Sequence, residues 1–347
     1  MKDVAEEAGV AMSTVSRVLS GHPDVSPGMR KRVTAAVDRL QYRPNLLAQG
    51  LRSQQTRTIG FLVGDISNPL LAEMVKGAVT CFRQNGYAMI LTDSERDPEL
   101  DAMHLDLFEQ RRVDGLILSP SREDHVETLG ALARMHVPAV LIDRQLPSSF
   151  AIDRVLSDHQ VGMKEALEHL IRLGHRRIDL IVGLPVRATV ERKAALVAAF
   201  AEQGLEPTYR IYESDVLSVD SGREGARSLL DDSDPPTALL VGGNQLLAGA
   251  LMAIRSRGLR IPDDLSLVST DETVVTALHD PPIATVRRDT VGLGQAAANL
   301  LLERIRERTL DQDAIAPAAP TTAREITLPT EFAAHESCAP PRTGSLP

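Results

Sequence analysis

Residues able to do covalent or metal chemistry are plentiful in this chain of 347 residues but are not spaced for it. No Gly-x-Gly-x-x-Gly follows an apolar run, and no phosphate-cradling loop, His-Glu-x-x-His pair or Gly-x-Ser-x-Gly elbow occurs. Serines, histidines and aspartates are scattered as chance would scatter them. Cys81 and Cys338 are far apart and match neither a disulfide framework nor a metal-ligand spacing. The expectation is therefore a protein that is not an enzyme, with no catalytic residue, no cofactor and no metal.

The spacing that does carry chemistry lies in Lys2–Leu19, KDVAEEAGVAMSTVSRVL. Val4 and Ala8 stand four apart before Gly9, and Val15, Val18 and Leu19 repeat a helical spacing after it. Gly9 suits a helix end that needs a left-handed residue, and Val10 can plug the gap between the helices. Two short helices joined by such a turn form a helix-turn-helix, whose second helix can enter a DNA major groove. Helical hairpins without a nucleic-acid role share the pattern, so the neighbouring elements must decide.

Those elements begin with a third helix, opened by Ser26 as cap and Pro27 in its first turn and running to about Leu40. Residues 1–57 hold nine Lys/Arg against five Asp/Glu, while the remainder holds 29 against 42. A basic head on an acidic body fits a chain whose head meets a polyanion. Asn45–Leu51 is a helical pattern too short to stand without a partner. A polar linker follows it.

From Ile59 the texture changes to short apolar runs alternating with amphipathic stretches. Strands are predicted near 59–63, 88–92, 115–119 and 139–143, then again at 178–182, 238–242 and 265–269, with helices between them. This rhythm indicates βαβ units and parallel sheets in two successive lobes. The crossover is placed at Asp153–Ser157, and residues 283–308 return to the first lobe. No run approaches eighteen apolar residues and no apolar signal region opens the chain, so a cytoplasmic protein without a membrane role is expected.

DVAEEAGV, STVSRVL, YRPN, LAQGLR, TIGFLV, NPLLAEM, VDGLIL, LIRLGHRRI and GLRIPDDLSLVSTDE followed by PPIATVRRD resemble the lactose-repressor (LacI/GalR) family, in the family's order and spacing. The resemblance runs from Met1 to about Phe332. It implies a multidomain fold: an all-α helix-turn-helix head over residues 1–44, a hinge helix and linker over 45–57, and an α/β body over 58–332. That body would be two-lobed, of the periplasmic-binding-protein-like type I kind, with lobe 1 at about 58–154 and 288–315 and lobe 2 at about 155–287 and 316–332. Residues 333–347, rich in Pro, Ala and Ser, are read as a disordered tail.

The resemblance also implies a ligand-responsive regulator, a homodimer or homotetramer that represses by binding palindromic double-stranded operator DNA. Met12 and Ser13 would read base edges, with Arg17 one turn later. Arginine can bridge guanine O6 and N7, serine serves either base edge, and methionine suits a thymine methyl. Thr14 and Ser16 would face phosphates or the helix interior. Asn45, Ala48 and Arg52 fall in the hinge, where Leu51 matches the apolar wedge that kinks a central base step. In the cleft, Arg192 would grip a small-molecule effector, with Asn244 and Asp271 at C-terminal strand ends, where open α/β sheets bind ligands. Asp65, Asn68 and Leu70 stand in the analogous first-lobe loop, followed by Thr92, Asp143 and Asp158. The effector implied is a sugar, a sugar acid or a similar polar metabolite.

The chain departs from the family pattern in places. It begins at Met1-Lys2-Asp3, where a Thr cap is usual, so the first helix is expected to lack its cap or the true start to lie elsewhere. Ala11 replaces the serine that caps the second helix, a loss of about 1 kcal/mol. Gly50 costs roughly 0.5–1 kcal/mol inside the hinge helix. Leu70 and Leu71 replace an aromatic pair, and Gln245 replaces an Asp. The two-lobed body alone would also suit a transport-type solute-binding protein. That alternative predicts a signal segment and no basic head.

Overall fold

The computed structural model describes residues 1–19, 24–42, 55–312 and 322–342. They divide into two compact units, Met1–Arg57 and Thr58–Pro347. In the first unit, α1 (Lys2–Ala8), α2 (Met12–Leu19) and α3 (Pro27–Arg39) enclose a core that includes Val4, Ala8, Val15, Val18, Val33 and Ala36. Gly9 ends α1 at φ 60°, and the half-buried Val10 packs on that core. The Ser26 hydroxyl accepts from Met29 N–H at 3.4 Å and caps α3. Neither Met1 nor Ala11 offers its helix a side-chain cap; Ala11 instead accepts from Thr14 N–H through its carbonyl. An Arg39–Glu7 ion pair ties α3 to α1.

The second unit is two parallel α/β layers joined by a shared strand. In the first, β1 (Thr58–Val63) lies between β2 (Ala88–Asp93) and β3 (Gly115–Ser119), followed by β4 (Ala139–Ile142) and β5 (Asp153–Asp158). Helices α4 (Pro69–Gln84) and α12 (Thr290–Gln312) cover one face through Phe82 and Leu301. The other face is covered by α5 (Pro98–Gln110) and α6 (Val126–Arg134) through Phe108 and Leu132. The second layer runs β7 (Ile211–Glu213), β6 (Ile178–Val182), β8 (Ala238–Gly242), β9 (Ser266–Ser269) and β10 (Ala284–Arg288). Its faces are covered by α7 (His159–Arg172) with α8 (Arg187–Glu202), and by α9 (Val219–Leu230) with α10 (Asn244–Ser256). The short α11 (Val274–Leu278) follows β9. Strands buried on both faces are continuous apolar runs because each faces a helix layer on either side.

β11 (Glu325–Ala333) belongs to both layers: Glu325–Pro329 pairs in parallel with β5, and Thr330–Ala333 pairs antiparallel with β10. Two boundaries read from the sequence are corrected by this. The segment Asp153–Ser157 is the inner strand of the first layer, so lobe 1 extends through Asp158 rather than ending at 154. Residues 325–329 likewise pair within lobe 1 and not lobe 2. β5 hides from hydropathy because its first residue, the buried Asp153, is neutralised by Arg304, with Nε–Oδ2 at 2.5 Å and Nη2–Oδ1 at 2.8 Å.

The segment after Ala333, read as a disordered tail, is fastened to lobe 2 as far as Arg342. Ser337 is buried; its carbonyl accepts from Leu267 N–H at 3.0 Å, and its hydroxyl donates to Leu267 O at 2.6 Å and accepts from Ala284 N–H at 2.8 Å. Ala339 N–H donates to Ser266 Oγ at 3.0 Å, and Arg342 pairs with Asp264. Hydrogen bonds to residues in and beside β9 and β10, with Cys338 packed on the lobe 2 core, order this segment. Among the described residues, no helix is long and apolar enough to cross a membrane.

Candidate functional site

The head presents one chemical face. On α2, Val15 and Val18 point into the core, Thr14 and Ser16 are half-buried, and Met12, Ser13 and Arg17 stand exposed. Met12 is 48% exposed although methionine is apolar, so this turn of helix is not closed off by its own unit. Asn45, Ala48, Leu51 and Arg52 lie outside the described residues.

The body holds a second, buried site between its two layers. Asp65 and Asn68 follow β1, Asp143 follows β4, Asn244 follows β8 and Asp271 follows β9, so C-terminal strand ends of both layers converge. Asn68 and Asn244 also sit at helix N-termini: the Asn68 carboxamide caps α4 by accepting from Leu70 N–H at 3.1 Å. The cavity is about 90 Å³ and is lined by Asn68, Leu70, Asp143, Arg192, Asn244 and Asp271, among others. That is well under the roughly 300 Å³ at which ligand pockets begin. The lobes are closed on one another by Asn244 Nδ2 donating to Asn68 Oδ1 at 3.1 Å and Gln245 Nε2 donating to Asp65 Oδ2 at 3.2 Å. Arg96 reaches across to Leu217 O and also pairs with Asp65.

At the floor, Arg288 is a strut between the layers. Its Nη1 donates to Asp143 Oδ2 at 2.6 Å and its Nη2 to Asp271 Oδ1 at 2.8 Å. Asp143 sits at φ 51°, a left-handed conformation that aspartate tolerates, and its Oδ1 accepts from Ser157 N–H at 3.0 Å. His159 Nε2 lies 3.3 Å from the same oxygen. Burial works to raise the Asp143 carboxyl, but His159, Arg288 and the Ser157 N–H hold it well below the usual carboxylate range. Burial also pushes the His159 imidazole down against the pull of Asp143. Arg192 is 5% exposed, with Nη1 3.5 Å from Gly242 O and Nη2 3.8 Å from Asp271 Oδ1. Burial lowers the pKa of this guanidinium despite Asp271, yet an arginine stays charged in any protein setting.

Comparison with known proteins follows this division. Residues 1–45 match the pattern of bacterial regulatory proteins of the lacI family, and residues 167–337 match the periplasmic binding protein-like domain. Catabolite control protein A of Priestia megaterium is 33% identical over 320 residues, which is 90% of this chain and 94% of that protein. The chain belongs to the LacI family. The HTH-type transcriptional repressor PurR of Aliivibrio salmonicida (strain LFI1238) is likewise 33% identical over 313 residues, 89% of this chain and 92% of that one. The Lac repressor dimer bound to operator and the anti-inducer ONPF superposes with a TM-score of 0.81 at 27% identity, covering 97% of this chain and 98% of that one.

This LacI-family chain is thus a DNA-binding transcriptional regulator, a helix-turn-helix head followed by a two-lobed periplasmic-binding-protein-like body. Three residues named from the family frame do not line the cavity, the first being Asp65, whose carboxylate is spent on Arg96 and Gln245 at the closure of the lobes. Asp158 caps α7, with Oδ1 accepting from Gln160 N–H at 3.0 Å and Val161 N–H at 3.4 Å, and it does not line the cavity. Thr92 lies in β2, with a buried hydroxyl that has no partner, and does not line it either.

Arg288, Arg96 and Arg144 do line the cavity and were not singled out. Arg288 ends β10, a C-terminal strand end like those that pointed to Asn244 and Asp271, so the same rule applied to PPIATVRRD would have found it. Glu99, His125 and Glu127 bring ligand atoms within 4.8 Å of one another. The two glutamates are exposed in the first turns of α5 and α6, where carboxylates answer the helix dipole.

Proposed function

We propose that this chain represses transcription by binding a palindromic operator as a dimer, and that a small polar metabolite between the lobes alters that binding. The observation that carries the reading is the exposed face of Met12, Ser13 and Arg17 on a helix-turn-helix joined to a body with a buried, charge-lined cleft. The Lac repressor solved as a dimer on its operator supports the dimer; a tetramer would keep the same DNA-binding half.

In this reading Arg17 bridges a guanine, Ser13 takes a base edge and Met12 covers a thymine methyl, each good bidentate pair discriminating by about 1–3 kcal/mol. Thr14 and Ser16 hold phosphates and set register. Asn45, Ala48, Leu51 and Arg52 form the hinge, with Leu51 inserted in the minor groove. Asn68, Leu70, Asp143, Arg192, Asn244 and Asp271 serve the effector, a sugar or a sugar acid, and the protein works in the cytoplasm. The effector changes operator affinity to the extent that it binds the open and closed arrangements unequally.

The test is a mobility-shift titration of the full chain against the DNA upstream of its own gene, at low salt and with candidate metabolites. Retardation that changes with one metabolite is expected. No retardation under any of these conditions would refute the reading.

A further inference from the structure

We infer that the metabolite read in the cleft is an anion: a compact polar molecule whose carboxylate or phosphate is clamped by Arg192. This rests on the cleft being the effector site. It goes further by choosing among the polar classes that such a cleft could take.

Hydrogen-bond donors are left over in a buried place. The Arg192 guanidinium carries five N–H donors. Among the described residues its one hydrogen bond is the 3.5 Å contact to Gly242 O, and its Nε is buried with no partner. Arg288 Nε is buried and unpartnered too. Of the four carboxylate oxygens in the wall, three are committed elsewhere and, among the described residues, only Asp271 Oδ2 is not. Both oxygens of Asp143 are taken by Arg288, His159 and Ser157 N–H, and Asp271 Oδ1 is taken by Arg288. Behind Arg144, Glu123 accepts from Gln145 N–H at 2.9 Å and Arg187 N–H at 3.1 Å.

A buried guanidinium answered only by one 3.5 Å hydrogen bond and a 3.8 Å ion pair to Asp271 is under-satisfied, and a ligand that supplies further acceptors removes that cost. An oxyanion supplies acceptors only, and its paired oxygens match the guanidinium edge. A neutral hydroxyl brings a proton of its own, which would need a free acceptor in a wall where most are spent. No aromatic residue lines the cavity, which offers Leu70, Leu71, Leu184 and Leu217 as its apolar surface. A neutral sugar ring therefore finds no stacking face here, and its several hydroxyls would have to share the few acceptors still open in the wall, Asp271 Oδ2 and Gln245 Oε1.

The experiment is thermal unfolding of the full chain, with ionic strength matched by sodium chloride, in matched pairs at about 10 mM. The pairs are glucose with gluconate and glucose 6-phosphate, ribose with ribonate and ribose 5-phosphate, and galactose with galactonate. An acid or a phosphate ester raising the unfolding midpoint while its neutral parent does not is the expected result; which arm responds separates carboxylate from phosphate. In Arg192→Gln the affinity for that anion should fall about ten- to hundredfold, and Arg192→Lys should recover part of it.

The proposal is overturned if a neutral sugar stabilises as strongly as its acid, if no anion in the set stabilises, or if Arg192→Gln binds as the wild type does. The comparison of acid with neutral parent is made on the wild type, so it survives a variant that does not fold. A neutral sugar that releases DNA in the mobility shift would defeat the anion while leaving the effector-controlled regulator standing. A chain that never retards DNA defeats the regulator instead.

Discussion

Removing the Arg288 strut should strongly destabilise the body. Its side chain is 11% exposed, and those of Asp143 and Asp271 are 5% and 4% exposed. The two bonds it donates, at 2.6 Å and 2.8 Å, are charge-assisted. Hydrogen bonds to charged groups contribute about 1.5–3 kcal/mol each, giving roughly 3–6 kcal/mol. That agrees with the roughly 3–5 kcal/mol lost when one partner of a buried ion pair is deleted and the other charge is left unanswered. For a unit of this size, such a loss lowers the unfolding midpoint by on the order of 10 °C. The measurement is circular-dichroism melting of Arg288→Met beside the wild type. Adding Asp143→Asn and Asp271→Asn to Arg288→Met should restore part of the loss, since neither carboxylate is then left charged and unanswered, while Arg192 loses Asp271 as its ion-pair partner. A loss below about 1 kcal/mol, or a triple variant weaker than the single one, would refute the reasoning that desolvated charge governs this bridge.

Two further outcomes are expected. Leu51→Ala should weaken specific operator binding by about 1–2 kcal/mol while the melting midpoint stays in place, as the loss of a wedge that kinks DNA requires; unchanged affinity in a competition mobility shift would remove Leu51 from the minor groove. His175 is pushed down to about 4 by burial, so between that value and the ordinary 6.5 the unfolded chain binds a proton that the folded chain does not. Stability is then full above pH 6.5 and falls as the pH drops, by about 2 kcal/mol between pH 7 and pH 5. His175→Gln should flatten that slope, and an equal slope in both proteins would show that other groups set it.

What was legible in the sequence is what burial writes in plain hydropathy. GLILS, IDLIV and ALLVG are strands at the residues expected, because each is sandwiched between helices and most side chains must be apolar, the buried Asp179 being answered by Arg210. Gly9, Ser26 and Pro27 were equally readable, since each local geometry admits few residue types. Strands β5 and β11 were opaque for the opposite reason. DRVLSD and EITLPTEFA carry polar groups whose partners lie far away in sequence: Arg304 for Asp153, and the Asp158 carbonyl and Gly162 N–H for Thr330. Pro329, which ordinarily argues against an inner strand, stands where β11 leaves β5 for β10, and the break in pairing absorbs its missing N–H.

The same logic separates the cleft residues that could be named from those that could not. Asn244 and Asp271 announced themselves by following apolar runs, a local signal. Asp158 follows β5 in the same way, yet its carboxylate turns onto the N–H groups of its own helix. A strand-end carboxylate can serve a cap or a ligand, and only the opposing lobe decides which. Asp143 shows the other outcome: Ser157 N–H comes from β5, His159 from α7 and Arg288 from β10, so three separate elements fix its orientation. Arg192 has no such set of partners. It is held by Gly242 O at 3.5 Å and Asp271 Oδ1 at 3.8 Å alone, with its Nε unpartnered among the described residues, so in a wall where other charges are answered at closer range it is the side chain with most left to offer a ligand.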